Sequence, residues 1–109
     1  CDNDEASHQA VLAEVKDEAC SDFVFVIYEP TDSTGHNEGF SFNNPAYQEA
    51  FAKQDAYAYE TIQAIKARET YDTEDWLIII TSDHGGIKTG HGKASIQERM
   101  TFAVMNKEF

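Results

Sequence analysis

Segments with helical periodicity alternate along the chain with short, continuous apolar runs. Residues 6–19 carry a weak apolar stripe at helical spacing, with Ser7 as the expected N-cap. Residues 23–28 and 76–81 are uninterrupted apolar runs of strand length, rich in β-branched and aromatic side chains. Such runs are typical of strands that are buried on both faces, as in parallel sheets.

A second and longer helix is predicted between these two strands. Asn44 supplies an N-cap and Pro45 fits the first helical position, and apolar residues then recur at helical spacing until the expected end near Glu69. A strand, a long helix and a strand in that order predict parallel strands joined by a right-handed crossover. The other predicted elements are polar loops over 31–44 and 82–95 and a third strand over 101–105.

The sequence therefore predicts an α/β fold with a mainly parallel sheet in one small domain. In such sheets, ligand sites lie beyond the carboxyl ends of the strands. The two predicted loops follow the strands at 23–28 and 76–81, so both belong to that edge.

Charge narrows the range of partners. The 109 residues include 20 acidic and 8 basic side chains, which gives a formal net charge of −12. This balance argues against nucleic acid or anionic lipid held by bare electrostatics, and no transmembrane segment or signal peptide is visible. An anionic substrate would be repelled unless bound cations reversed the local field. Cys1 and Cys20 are too few for a disulfide scaffold, and a bridge between them stays open.

The two loops supply residues suited to divalent metals. Asp32 and His36 lie four apart in the first loop, while Asp83, His84 and His91 lie in the second. Mixed oxygen and nitrogen donors suit zinc-like ions, and five candidates are too many for one open site and nearly enough for two. The competing interpretation is that Asp-x-x-x-His arises by chance and Asp-His-Gly-Gly is only a turn.

Three other polar or aromatic residues admit a simpler interpretation. His8 lies on the first predicted helix, away from these loops, and is interpreted as a surface residue. Phe40 and Phe42 follow the first loop and could stack on a nucleobase, although packing is the favoured role.

Ordered motifs over about residues 20 to 105 resemble the alkaline phosphatase-like superfamily, in its type I phosphodiesterase and nucleotide pyrophosphatase branch. The segment from Glu29 to Phe40 resembles that branch's Pro-Asp-x-x-Gly-His-x-x-Gly-Pro motif, with an inserted threonine and phenylalanine in place of the last proline. The segment from Thr81 to Gly86 resembles the Ser-Asp-His-Gly motif, and His91-Gly92 resembles the late histidine. The short spacing between this motif and that histidine is more similar to the spacing in bacterial phosphatases and sulfatases than to the spacing in animal pyrophosphatases.

The resemblance implies a partial three-layer α/β/α sandwich and a two-metal phosphoric ester hydrolase, with zinc as the expected metal and a phosphate ester or nucleotide as substrate. Asp32, His36 and His91 would hold one ion, and Asp83 and His84 the other. The family's early aspartate and its nucleophile cannot be placed in this sequence. Residues 1–109 are therefore expected to be the carboxyl-terminal part of a catalytic domain, inactive alone. An extracytoplasmic location is implied.

Alternatives remain at this point. A phosphomonoesterase or sulfatase of the same fold would differ in its nucleophile, and a non-catalytic metal-binding or interaction domain would need none. A piece of a larger sheet would leave an open strand edge, so pairing with a missing amino-terminal half or with another copy is expected.

Overall fold

The structure is a computed structural model that describes residues 2–108, so Cys1 and any bridge to it lie outside the described residues. The elements in chain order are α1 (Asp2–Lys16), α2 (Pro30–Glu38), α3 (Pro45–Lys66), a 3₁₀ turn (Tyr71–Thr73), β1 (Ile79–Thr81), α4 (Ile96–Arg99) and β2 (Ala103–Met105). Within this described part, no helix combines the length and the apolar character needed to cross a bilayer.

The core lies where α1 and α3 pack against the inner face of two extended segments. Val11 and Val15 of α1 and Ile65 of α3 are buried together. The side chains that cover them from the extended segments include Val24, Val26, Trp76 and Ile78. The buried members of both predicted apolar stripes therefore face the same layer. α1 begins and ends earlier than predicted, and α3 ends at Lys66 rather than near Glu69.

The mainly parallel sheet expected from the sequence is not observed among residues 2–108. β1 pairs with β2 in antiparallel register, with Ile79 opposite Met105 and Thr81 opposite Ala103. Residues 23–28 are extended, yet no strand pairs with them. The architecture is thus mixed helix and a small antiparallel sheet, because an apolar run becomes a strand only where a neighbour completes its hydrogen bonds.

Side chains of the extended segments alternate between a covered and an open face. Val24 and Val26 pack on the core, whereas Phe23 and Phe25 are 81% and 72% exposed. Ile27, Leu77, Ile79 and Val104 are also exposed large apolar residues. The helices therefore cover only one face of a layer whose sequence is apolar on both.

The prediction of a loop over 31–44 is wrong for its first half, because residues 30–38 form α2. Pro30 occupies the first turn, and the helix ends at Gly39, whose φ of 105° is readily adopted only by glycine. Asp, Ser, Thr and Gly favour turns locally, which hid this helix from sequence reasoning. The predicted long loop over 82–95 is present and runs from β1 to α4.

Candidate metal centre

α2 supplies the first pair of candidate ligands. Asp32 lies in its first turn and His36 in its last, and residues four apart project from the same side of a helix. The His36 Nε2 atom lies 3.5 Å from Asp32 Oδ2. The helix therefore presents a carboxylate and an imidazole together, in place of the polar loop predicted from the sequence.

Side chains from α1 and α3 hold the turn through which the chain enters α2. Asp4 Oδ1 accepts a hydrogen bond from the Glu29 amide at 3.1 Å. Gln54 donates to the Tyr28 carbonyl at 2.9 Å and accepts from the Thr31 hydroxyl at 3.1 Å. His8 contacts the Tyr28 hydroxyl at 3.1 Å. We call Asp4, His8 and Gln54 the entry clamp, because they hold the residues just before Asp32.

His8 is the most deeply buried member of the entry clamp, so its interpretation as a surface residue is wrong. Its side chain is 1% exposed and stacks on the Tyr57 ring at 4.1 Å between centroids. The Nδ1 atom lies 3.1 Å from the Tyr28 hydroxyl and Nε2 lies 2.8 Å from the Glu60 carboxylate. Burial, above all, raises the pKa of Tyr28 and keeps its phenol protonated.

A short capped helix holds the second loop. The Ser95 hydroxyl accepts from the Glu98 amide, and the Glu98 carboxylate accepts from the Ser95 amide, forming a capping box. The same carboxylate accepts from the Lys93 amide at 3.1 Å, and the Glu98 carbonyl accepts from the Gly85 amide at 3.0 Å. Hydrogen bonding from the Ser95 hydroxyl is the main cause that lowers the pKa of Glu98. Glu98 therefore ties together the backbone just after His84 and the backbone just after His91.

Phe40 joins the two loops. A Cβ atom added at either Gly35 or Gly86 would overlap the Phe40 ring, so the ring lies directly between the two glycines. The Phe40 amide also donates to the Lys88 carbonyl at 2.7 Å. This arrangement favours packing over base stacking for Phe40. It also explains why Gly35 and Gly86 are glycines, because a larger residue would prevent the close approach of the ring.

α2 and the loop over 82–95 bring three ligand atoms to one place. One side-chain atom each from Asp32, His84 and His91 lies within 4.8 Å of the others. Asp32 Oδ1 is 3.1 Å from His91 Nε2 and 3.8 Å from His84 Nε2. A zinc ion bound at about 2.0–2.2 Å by nitrogen and oxygen spans ligand pairs up to about 4 Å apart. A small contraction would place all three atoms on one ion.

His36 stands beside this group. Its Nε2 atom lies 3.0 Å from His91 Nε2, and its Nδ1 atom lies 3.0 Å from the Thr89 carbonyl. His84 Nδ1 similarly lies 2.8 Å from the Gly85 carbonyl. A carbonyl only accepts, so each Nδ1 carries the proton and each Nε2 of the neutral ring keeps a lone pair. The lone pairs point toward the cluster, as metal-ligating histidines require.

Asp83 lies at the rim of the cluster. Its carboxylate is 90% exposed, and Oδ1 is 3.7 Å from His84 Nε2. That oxygen also accepts from the His84 amide at 3.0 Å. The structure thus brings Asp32, His36, His84 and His91 together and leaves Asp83 beside them. His84, which the resemblance pairs with Asp83, also lies beside Asp32 and His91.

Two observations indicate that the cluster is suited to a divalent cation. Asp32 Oδ1 is buried, and among the described residues it is the buried side-chain atom left without a hydrogen-bond partner. The Nε2 atoms of His36 and His91 face each other at 3.0 Å. A buried carboxylate oxygen without a hydrogen-bond partner, beside converging imidazole nitrogens, is costly unless a positive charge lies close to it. The donor set, carboxylate and imidazole, is the one that zinc prefers.

The comparison with known families agrees with the ordered motifs. A family model described as type I phosphodiesterase / nucleotide pyrophosphatase matches residues 2–101. The chain belongs to the type I phosphodiesterase / nucleotide pyrophosphatase family. Neither the curated proteins nor the solved structures compared with it gave a match. The resemblance stated from the motifs is therefore confirmed.

Membership in the type I phosphodiesterase / nucleotide pyrophosphatase family indicates a hydrolase and the alkaline phosphatase-like fold of its members. Sequence reasoning had singled out the five candidate ligands, but it missed their supports. Glu98 was detectable through the Ser-x-x-Glu pattern at Ser95, which is the sequence signature of a capping box. Asp4, His8 and Gln54 left no such signal, because their partners are distant in the sequence.

Proposed function

We propose that this chain provides the metal-binding part of a two-metal phosphoric ester hydrolase that acts on phosphodiesters or nucleotide pyrophosphates. The observation that carries the proposal is the convergence of Asp32, His84 and His91, with ligand atoms within 4.8 Å of one another, in a member of this hydrolase family. His36 adds a fourth donor at 3.0 Å from His91.

The candidate ligands divide between a first ion, for which three ligands lie together, and a second ion, for which this chain supplies fewer. Asp32, His84 and His91 would hold the first ion, with His36 next to it. Asp83 is exposed and adjacent to His84, so it is placed to reach a second ion near the rim. Two divalent ions would polarise the phosphoryl oxygens and offset the repulsion between an anionic substrate and a chain of formal charge −12.

The residues of this chain act by orientation. The Gly85 and Thr89 carbonyls fix the tautomers of His84 and His36. The entry clamp fixes the start of α2, and Glu98 fixes the second loop. The imidazoles of His36 and His84 are therefore aimed before any ion binds, which reduces the reorganisation that binding requires.

The nucleophile of the reaction, and a further aspartate for the second ion, are expected to come from another part of the protein. The 109 residues alone are then expected to bind zinc weakly and to show no turnover of bis-p-nitrophenyl phosphate.

Zinc titration by calorimetry, followed by a bis-p-nitrophenyl phosphate assay, tests the proposal. Asp32→Asn should weaken zinc binding at least about tenfold, because it removes the charged ligand. Asp55→Asn on the exposed side of α3 is the matched control and should leave zinc binding unchanged. Equal zinc binding by both variants would overturn the metal centre. Robust turnover by the unmodified 109 residues would contradict only the proposal that the nucleophile lies outside this chain.

A further inference from the structure

His84 lies near two carboxylates, and each of them could share a metal ion with it. Its Nε2 atom is 3.8 Å from Asp32 Oδ1 and 3.7 Å from Asp83 Oδ1. An ion held at about 2.0–2.2 Å by nitrogen and oxygen can span either pair of atoms. Because the two distances are almost equal, distance alone does not decide which carboxylate His84 joins.

The imidazole of His84 can bind only one ion at a time. Its Nδ1 atom carries a proton and lies 2.8 Å from the Gly85 carbonyl, which leaves the lone pair of Nε2 for a metal. One lone pair binds one ion. An ion at Asp32 and an ion at Asp83 would therefore compete for the same nitrogen.

The surroundings of the two carboxylates differ. His91 Nε2 lies 3.1 Å from Asp32 Oδ1, and His36 Nε2 lies 3.5 Å from Asp32 Oδ2. The His84 ring also stacks on the His91 ring, with 3.7 Å between centroids. Asp83, by contrast, is 90% exposed. A single ion would therefore be held at Asp32, where three imidazoles bring the number of protein ligands to four.

A site with four protein ligands is closed, whereas the zinc sites of enzymes keep one position open for water or substrate. We propose that His84 is a closing ligand: it completes the site of the first ion while one ion is bound, and it moves to Asp83 when a second ion binds there. The second ion thereby opens the site of the first. This inference rests on the proposed two-metal site and adds the order in which that site becomes competent.

X-ray absorption tests the proposal on the full 109-residue chain, because each absorption edge reports only its own element. Zinc is added first at one equivalent, and cobalt(II) is then added as the second ion. Zinc should keep the tighter site, since it binds such ligands more strongly than cobalt. The zinc edge should show three imidazole nitrogens before cobalt is added and two afterwards, and the cobalt edge should show one.

Two variants separate the movement of His84 from the simple addition of an ion. Asp83→Asn removes the charged ligand of the second ion, so zinc should keep three imidazoles when cobalt is added. Asp72→Asn changes an exposed carboxylate of the 3₁₀ turn and is the matched control, which should behave as the unmodified chain. His84→Ala should leave two imidazoles on zinc and weaken zinc binding at least about tenfold.

Two results with the unmodified chain would overturn the inference, and neither depends on the folding of a variant. Zinc with only two imidazoles at one equivalent would show that His84 does not close the site. Zinc that keeps three imidazoles after cobalt is added would exclude the movement to Asp83. Both results leave a zinc site in place and so spare the proposed function, whereas a chain that binds no zinc would overturn both.

Discussion

The two segments that carry the candidate ligands, α2 and the loop over 82–95, are held in different ways. The entry clamp, whose residues belong to the helices that form the core, fixes the turn that leads into α2. The second, over 82–95, is fixed by the carboxylate and carbonyl of one residue, Glu98. Side chains of the core helices α1 and α3 thus hold the turn before Asp32 directly.

The difference shows that two halves of one site can be held in place by separate sets of contacts. Asp32 and His36 should keep their positions as long as the core is folded. His84 and His91 depend on a local capping box that can open without loss of the core. Phe40 is the bridge, because its ring lies between Gly35 and Gly86.

The largest expected effect is on the first loop. His8→Ala leaves Tyr28 and Glu60 without their buried partner and removes a side chain that is 1% exposed. Urea unfolding should show a loss of about 2–3 kcal/mol. Gln9→Ala, an exposed neighbour on α1, should change stability by less than about 0.5 kcal/mol. Equal effects of the two variants would show that the entry clamp does not stabilise the core.

The bridge between the loops comes next. Gly86→Ala places a methyl group into the Phe40 ring and should cost about 1–3 kcal/mol, with weaker zinc binding because the loops are forced apart. Gly90→Ala is the control, since nothing lies within 4 Å of its added Cβ. Adding Phe40→Leu to Gly86→Ala should restore part of the zinc affinity. A Gly86→Ala protein that binds zinc normally would contradict the bridging role of Phe40.

A substitution in the support of the second loop should weaken zinc binding more than it lowers the stability of the fold. Glu98→Gln weakens the ties to Lys93 and Ser95, so zinc affinity should fall about tenfold while the unfolding midpoint changes less than in His8→Ala. Glu69→Gln, an exposed residue just beyond α3, is the charge-matched control. Calorimetry and urea unfolding on the same samples separate the two effects. A loss of stability as large as that of His8→Ala would remove the distinction between the loops.

The smallest effect is a pH dependence at the far end of the core. Hydrogen bonds from Arg68 first, and then from Thr70 and Trp76, lower the pKa of Glu74 from 4.5 to about 2. The unfolded chain therefore binds this proton more tightly, so the contribution is complete above about pH 5 and is lost as pH falls toward 2. Trp76 fluorescence during urea unfolding should show that Glu74→Gln lowers stability near neutral pH and that the difference shrinks on acidification. A difference independent of pH would contradict this.

Local patterns were sufficient for part of the fold and for the choice of candidate ligands. The start of α3 follows from Asn44 and Pro45, and the structure bears it out because the Asn44 side chain accepts from the Ala46 amide. α2 was missed because its helix-forming cause, Pro30 after a clamped turn, lies in contacts with α1 and α3. Burial of His8 was missed for the same reason: its partners are 20 and 52 residues away.

The parallel sheet was expected because residues 23–28 are apolar on both faces. The structure covers one face with helices and leaves the other open, so composition alone did not determine pairing. That the clustered side chains bind metal stays a prediction.

Zinc-edge X-ray absorption on the zinc-loaded chain tests the central claim most directly, because it counts the ligands around the ion. We predict at least two imidazole nitrogens and one carboxylate oxygen at about 2.0–2.2 Å, with one imidazole fewer in His91→Ala. An ion surrounded only by oxygen, or a spectrum that His91→Ala leaves unchanged, would contradict the account.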